Sequence, residues 1–279
     1  MQHTPLKPGD ILAGSYRVET VQRVTGLTAL YEAHDLRAGD LDGRCAIKEE
    51  ILEDEPPTEL VRQVEGFRRK VSLLKTLEQP AIPHIRDGFT LNGQSYMVMD
   101  YIQGKDLEQI MNETRDFLPV RDIYRWAVEL CQVLNYLHTR QPFPLIFRDI
   151  KPSNVMLESD GHIKLIDYGI AELLEEGKEY APLGTDGYAA PEQYEGQVTP
   201  RIDIYGLGAT LHHLLTRTDP RLQPPFSFAR RPLKAFNPAA PSELGVVVMA
   251  AVSNAPEDRF ASMAEMLHAL RLIENKIPA

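Results

Sequence analysis

Cysteine is nearly absent. Only Cys45 and Cys131 occur in 279 residues, too few for a disulfide framework or a cysteine-based zinc site, and such usage fits a reducing, cytoplasmic setting. Basic residues are in deficit, 30 against 40 acidic ones, which leaves a formal net charge of −10. That balance argues against a general nucleic-acid-binding or acidic-membrane surface, and solubility accounts for the acidity. No apolar run approaches the roughly 18 residues that a membrane span needs. The opening residues, MQHTPLKPGD, contain no apolar leader core. Internal repeats and low-complexity tracts are missing too. Histidines are scattered except for the pair His212–His213, which sits in an apolar helical run where packing explains it better than metal binding.

What is present is an ordinary globular composition, 43% hydrophobic and 25% charged, with length for one large domain or two lobes sharing a cleft. The first hundred residues read as strands around one helix. Tyr16–Val21 and Thr28–His34 form a hairpin pair and Arg44–Glu50 a third strand. After Pro56-Pro57, the apolar residues Phe67, Val71, Leu74 and Leu77 recur at helical spacing within Thr58–Leu77. Two further strands, Ile85–Thr90 and Gln94–Asp100, flank the turn signal Asn92-Gly93. Helices dominate from Leu107 onward, with a long one predicted over Val120–Leu137 and others near Asp203–Thr216, Leu244–Val252 and Ser262–Ile273. The expected architecture is α+β: a small β-rich lobe with one main helix, a hinge near Tyr101–Gly104, and a larger, mostly α lobe.

The most informative stretch is Phe147-Arg148-Asp149-Ile150-Lys151-Pro152-Ser153-Asn154. It is followed by Ile166-Asp167-Tyr168-Gly169 and by Ala190-Pro191-Glu192. Singly, Asp149, Asn154 and Asp167 are what turns often contain. As an ordered set they resemble the eukaryotic-type serine/threonine protein kinases, in particular their bacterial, Hanks-type members, from about Leu12 to Leu272. The resemblance implies a bilobal protein-kinase fold over the whole of 1–279, with an N-lobe of about 12–102 and a C-lobe of about 106–275. It also implies transfer of the ATP γ-phosphate to protein hydroxyls, with Mg2+ as cofactor and ATP and a protein substrate as partners.

Phosphoryl transfer asks a protein mainly to position reactants and neutralise charge. In the roles the resemblance implies, Asp149 accepts or orients the substrate hydroxyl and Lys151 reaches the transferring group. Asn154 and Asp167 offer the hard oxygens that Mg2+ prefers. Lys48, in Cys45-Ala46-Ile47-Lys48, contacts the nucleotide phosphates. Leu30 and Ala46 above the adenine, Met156 below it, Met99 as gatekeeper, Asp100 to Ile102 as hinge and Asp106 at the ribose complete the nucleotide site. Leu74, Ile85, Phe147 and Tyr168 match a stacked apolar spine, Asp203 the anchor of the catalytic loop, and Glu192 with Arg259 a buried ion pair that specifies geometry more than stability.

The nucleotide lobe departs from that pattern twice. The glutamate slot that normally holds Lys48 falls at Lys70, and two ammonium groups at roughly 4 Å repel by about 4 kcal/mol at an effective dielectric of 20. The lysines must therefore separate or find anions, and the sequence names no replacement partner. The glycine slots of the phosphate-covering loop hold Arg23, Thr25 and Thr28, so the close backbone approach that glycine permits is altered; Gly26 compensates in part, or Arg23 contributes positive charge. Arg148 suggests a phosphate-responsive activation segment. Yet residues 170–184 contain neither serine nor threonine, so Glu175, Glu176 and Glu179 are the expected anions for Arg148. Two readings follow: a serine/threonine kinase with atypical nucleotide clamping, and a pseudokinase acting as a nucleotide- or partner-binding scaffold.

Overall fold

The computed structural model describes residues 4–25, 28–39, 42–51, 57–175 and 177–278. The chain divides into two compact units, Met1–Gln103 and Gly104–Ala279.

In the first unit, β1 (Ile11–Leu12), β2 (Tyr16–Val24), β3 (Thr28–Asp35), β4 (Arg44–Glu50), β5 (Ile85–Leu91) and β6 (Gln94–Asp100) form one antiparallel sheet, ordered β1-β2-β3-β4-β6-β5. The helix α1 (Pro57–Leu74) accompanies it. Burial alternates along β4 and along β3 as far as His34, as a period-two strand with unlike faces requires. One face carries Tyr31, Ala33, Cys45 and Ile47 into a core completed by Leu12, Tyr16, Tyr96 and Val98. There Tyr16, Phe89 and Tyr96 stack at centroid distances of 5.9 and 5.5 Å. The half-open face carries Leu30, Glu32, Ala46, Lys48 and Glu50. Asn92 and Gly93, at φ 52° and 81°, turn β5 into β6 through the left-handed region that Asn-Gly favours.

The second unit opens with β7 (Gly104–Asp106), which pairs with β9 (Val155–Glu158) and through it with β10 (Ile163–Leu165). β8 (Leu145–Ile146) pairs with β11 (Glu172–Leu173). The helices are α2 (Leu107–Glu113), α3 (Val120–His138), α4 (Pro200–Thr216), α5 (Leu233–Phe236), α6 (Ser242–Ala251) and α7 (Met263–Leu272). Asp106 caps α2 in a capping box with Gln109. In α3, Ile123, Ala127, Leu130, Leu134 and Leu137 are all buried. Each such leucine or isoleucine contributes about 1.5–3 kcal/mol of transfer free energy. α4 is buried from Ile202 to Thr216, which makes it the central strut of this unit. Such a helix is apolar all round, and its polar members must find partners inside. Asp203, Thr210, His212 and His213 all do.

Short elements are where the structure adds to the predicted pattern. β1, β7, β8 and β11 run for two or three residues, too few to show a periodicity. β2 extends to Val24 because bulges between Val18 and Thr20, and between Val21 and Arg23, keep it in register with β3. Among the described residues no helix is long and apolar enough to cross a membrane.

Candidate active site

The second unit gathers Asp149, Lys151, Asn154 and Asp167 around one loop. Lys151 Nζ donates to Asp149 Oδ2 at 2.7 Å and to Thr185 Oγ1 at 2.8 Å, while Thr185 Oγ1 donates to Asp149 Oδ1 at 2.6 Å. Asn154 Nδ2 donates to the Asp149 carbonyl at 2.8 Å and to its Oδ2 at 2.9 Å. The Asp149 carboxylate is thus oriented by a cation, a hydroxyl and an amide, all charge-assisted contacts to a fixed acceptor. With Nδ2 so engaged, Asn154 keeps Oδ1 for a cation. The backbone bond from Ile166 N to Asn154 O, 2.9 Å, places Asp167 beside it. Asp167 is exposed and has φ 66°, a left-handed conformation unusual for a non-glycine residue, with Oδ1 accepting from Gly169 N at 3.1 Å. Asn154 offers an amide oxygen and Asp167 a carboxylate, the donor types that suit a hard divalent cation such as Mg2+.

The loop is anchored from below. Asp203, projecting from the buried α4, accepts from Phe147 N at 2.8 Å, from Arg148 N at 2.7 Å and pairs with His138 Nε2 at 2.8 Å. Thr210 donates to the Ile150 carbonyl at 3.1 Å. Phe147 meets Tyr168 edge to face at 5.1 Å. That ring contact and the Asp203 bonds hold the residues just before Asp149. Glu192 and Arg259 form a buried bidentate pair at 2.6 and 2.9 Å, with Arg259 also donating to the Ser253, Asn254 and Arg201 carbonyls. All five of the guanidinium's donors are used, which is what a buried charge requires.

Arg148 behaves differently from the expectation. It is buried, and its Nη2 donates to the Ala181 carbonyl at 2.6 Å. Glu175 instead pairs with Lys178 at 3.3 Å, and Lys178 also holds Glu172 at 2.8 Å. Glu179 is exposed, and Glu176 lies outside the described residues. Burial pushes the Arg148 guanidinium down from its ordinary value, opposed by the charges of Glu172 and Asp203. A backbone carbonyl holds Arg148 where a carboxylate was expected, and Glu175 is taken by Lys178. Tyr180 ties the same segment, its hydroxyl donating to Leu173 O at 2.9 Å and accepting from Glu175 N at 2.8 Å. Gln193 Nε2 donates to both Arg148 O and Leu183 O, at 2.9 and 2.6 Å, clasping catalytic loop and segment together. A Cβ at Gly184 would stand 2.8 Å from that Gln193 nitrogen and 2.6 Å from Ala189, so the clasp needs glycine there.

Four of these supports lie outside the sequence motifs. His138 closes the helix ahead of the catalytic loop, Gln193 follows the Ala-Pro-Glu element, and Tyr180 is the one hydroxyl-bearing residue within 170–184. Those positions were visible signals. Thr210 carried none beyond lying in an apolar helix.

The remaining candidate residues divide between the units. Leu30, Ala46, Lys48, Met99, Asp100 and Ile102 belong to the first, with Ala46 paired to Met99 and Leu30 to Lys48 across strands. Asp106 and Met156 belong to the second and face each other across β7 and β9. Asp106 is buried, with Oδ1 accepting from Gln109 N at 2.8 Å, and Asp100 accepts from Arg86 Nε at 2.7 Å. Of the two lysines, Lys70 finds an anion: its Nζ lies 3.7 Å from Glu50 Oε1, both half-buried. Helix and strand are thus joined by an ion pair whose lysine sits on the helix and whose carboxylate sits two residues beyond Lys48. Glu49, on the opposite face, is buried and accepts from Tyr31 and Tyr96 hydroxyls at 2.6 and 2.8 Å. Burial, then the bond to Glu49, raises both phenols well above their ordinary range.

Comparison with known proteins returns one consistent picture. A family model described as a protein kinase domain matches residues 38–229. A probable serine/threonine-protein kinase of Streptomyces coelicolor is 30% identical over 277 residues, covering 91% of this chain and 39% of that protein. Serine/threonine-protein kinase PknB of Mycolicibacterium smegmatis is 30% identical over 287 residues, covering 96% and 44%. The crystal structure of the Mycobacterium tuberculosis PknI kinase domain matches with a TM-score of 0.73 at 29% identity, covering 96% of this chain and 99% of that one. The chain spans less than half the length of the curated relatives it matches.

Proposed function

We propose that this chain, which belongs to the protein kinase family and has its bilobal fold, is a kinase domain that moves the γ-phosphate of ATP onto serine or threonine hydroxyls of a protein. The domain extends over the whole of 1–279, with an N-lobe of about 12–102 and a C-lobe of about 106–275. The observation that carries the reading is the oriented Asp149 carboxylate, held by Lys151, Thr185 and Asn154. A scaffold without chemistry has no use for a carboxylate fixed through both oxygens, with a lysine beside it and a two-oxygen cation site next door.

In this reading Asp149 accepts a hydrogen bond from the substrate hydroxyl and aims its oxygen at the phosphorus. Lys151 Nζ shifts between Asp149 and the transferring oxygens, with Thr185 keeping it in place. Asn154 Oδ1 and Asp167 hold Mg2+, which when bound would neutralise the phosphate oxygens. Lys48 meets the inner phosphates; Leu30, Ala46, Met99, Asp100, Ile102 and Met156 receive the base. Asp106, which also caps α2, serves the ribose.

Incubation with Mg·ATP and a generic protein substrate tests this. Transfer should appear with wild type and fall at least about a hundredfold in Asp167→Asn, since removing a charged metal ligand takes away several kcal/mol of positioning and charge stabilisation. Nucleotide-induced stabilisation without transfer would instead make the chain a binding scaffold, because a ligand that binds only the folded state raises stability whether or not it reacts.

A further inference from the structure

Among the described residues of the β2–β3 turn, Thr25 and Thr28, which stand where glycine is usual, turn their own backbone amides onto each other. Thr25 N donates to Thr28 O at 2.8 Å, and Thr28 N donates to Thr25 Oγ1 at 3.1 Å. Their hydroxyls meet at 3.0 Å. Backbone amides bind phosphate when they point outward from a nest. At these two positions they point into the turn. At these two positions, phosphate contact therefore needs a side-chain donor.

Arg23 has the placement for it. The bulge between Val21 and Arg23 leaves Arg23 paired with Leu30, and Leu30 is paired with Lys48. Directly paired residues project from the same face of a sheet. Arg23, Leu30 and Lys48 therefore form one row on the half-open face, with the two cations about 10 Å apart at Cα, two strand spacings. Leu30, between them, is a nonpolar floor. The other strand arginines of this unit are each tied to a carboxylate: Arg17 to Glu19, Arg44 to Asp42 and Arg86 to Asp100. Arg23 is exposed and, among the described residues, makes no ion pair or hydrogen bond. The acids nearest on that face are engaged elsewhere, Glu32 by Thr20 and Gln22, and Glu50 by Lys70.

We propose that Arg23 is a phosphate-binding residue of the nucleotide site, supplying through its guanidinium the contacts that the turn's amides at Thr25 and Thr28 no longer offer. The proposal rests on the ATP reading above. A planar guanidinium matches two phosphate oxygens at once, and beside Lys48 it gives a polyphosphate two cations in one row. Arg23 thus favours the nucleotides with the longer phosphate chains.

Calorimetric titration of ATP, ADP and adenosine, each with Mg2+, into wild type, Arg23→Gln, Arg23→Lys and Gln22→Ala tests it. Arg23→Gln should weaken ATP about tenfold or more, the loss expected for a hydrogen-bonded charge. It should weaken ADP less and leave adenosine unchanged. Arg23→Lys should fall between, and Gln22→Ala, in the same bulge, should match wild type. ATP bound equally by wild type and Arg23→Gln, or a loss equal for ATP and adenosine, would overturn the role of Arg23 alone. Wild type that binds none of the three would overturn the ATP reading and this proposal together.

Discussion

At the scale of single residues, the site is made of groups with very few ways to be satisfied. Asp203 has two oxygens and three donors, two of them backbone amides of the catalytic loop. Asp203→Ala strands those amides in the interior. It should cost about 3–5 kcal/mol in urea unfolding, the range for breaking a buried charged network. Thr185 is a different case. Its hydroxyl bridges Asp149 and Lys151 without supporting the core. Thr185→Ala should therefore leave the unfolding midpoint nearly unchanged and lower kcat about 10–100-fold through misplacement of Asp149 and Lys151. Thr185→Ser should recover most of it. Steady-state kinetics beside a thermal melt separates the two effects.

At the scale of elements, α1 and the activation segment are both fastened by unexpected partners. Lys70 and Glu50 exchange the usual polarity of a helix–strand pair. Lys70→Glu alone sets two carboxylates against each other, and Glu50→Lys alone sets two ammonium groups. Each single variant should lose stability, and the double variant should recover it, with a coupling of up to about 1 kcal/mol for a pair with this much solvent access. A double-mutant cycle by chemical denaturation reads that coupling, and additive losses would contradict the pairing. In the activation segment, Arg148 is held by the Ala181 carbonyl and Tyr180 by Leu173. Neither contact involves a phosphate. Activity should be the same before and after phosphatase treatment, checked by intact mass and initial rates.

How much of this was legible beforehand follows from what a sequence can carry. The long elements announced themselves: β4 and β6 run over the predicted residues, and α3 differs by one residue at its end. The catalytic loop was legible because Asp149, Lys151 and Asn154 sit within six residues of one another. Glu50 as the partner of Lys70 was not, because it depends on how α1 packs against the sheet, which no local pattern encodes. The Arg148 contact was missed for another reason. A backbone carbonyl is present at every residue, so Ala181 carries no signal that distinguishes it from its neighbours, whereas Glu175 and Glu179 drew attention by charge.

At the scale of the whole molecule, stability should depend on acidity through two histidines inside α4. His212 Nε2 donates to the Arg231 carbonyl at 2.8 Å, and His213 Nδ1 shares a hydrogen bond with the Tyr188 hydroxyl at 2.7 Å. Burial pushes both rings down to about 4. Because the folded values lie below the unfolded value of 6.5, the unfolded chain takes up protons first as pH falls. Stability is therefore intact above about pH 6.5 and declines from there towards pH 4, by on the order of 3 kcal/mol for each ring. Denaturant melts at pH 7.5, 6 and 5 should show the decline, and a His212→Asn, His213→Asn double variant should flatten it. An equal slope in the variant would assign the effect to other groups.

Phosphoryl transfer through Asp149, on a segment that needs no phosphate of its own, can be read from phosphatase-treated chain given Mg·ATP and a protein substrate, with Asp149→Asn run alongside. Wild type should transfer from the first time point without a lag, and the variant should be at least about a hundredfold slower while melting at a similar temperature. Equal transfer by the two proteins, or a wild type that stays silent until it is phosphorylated, would contradict the account.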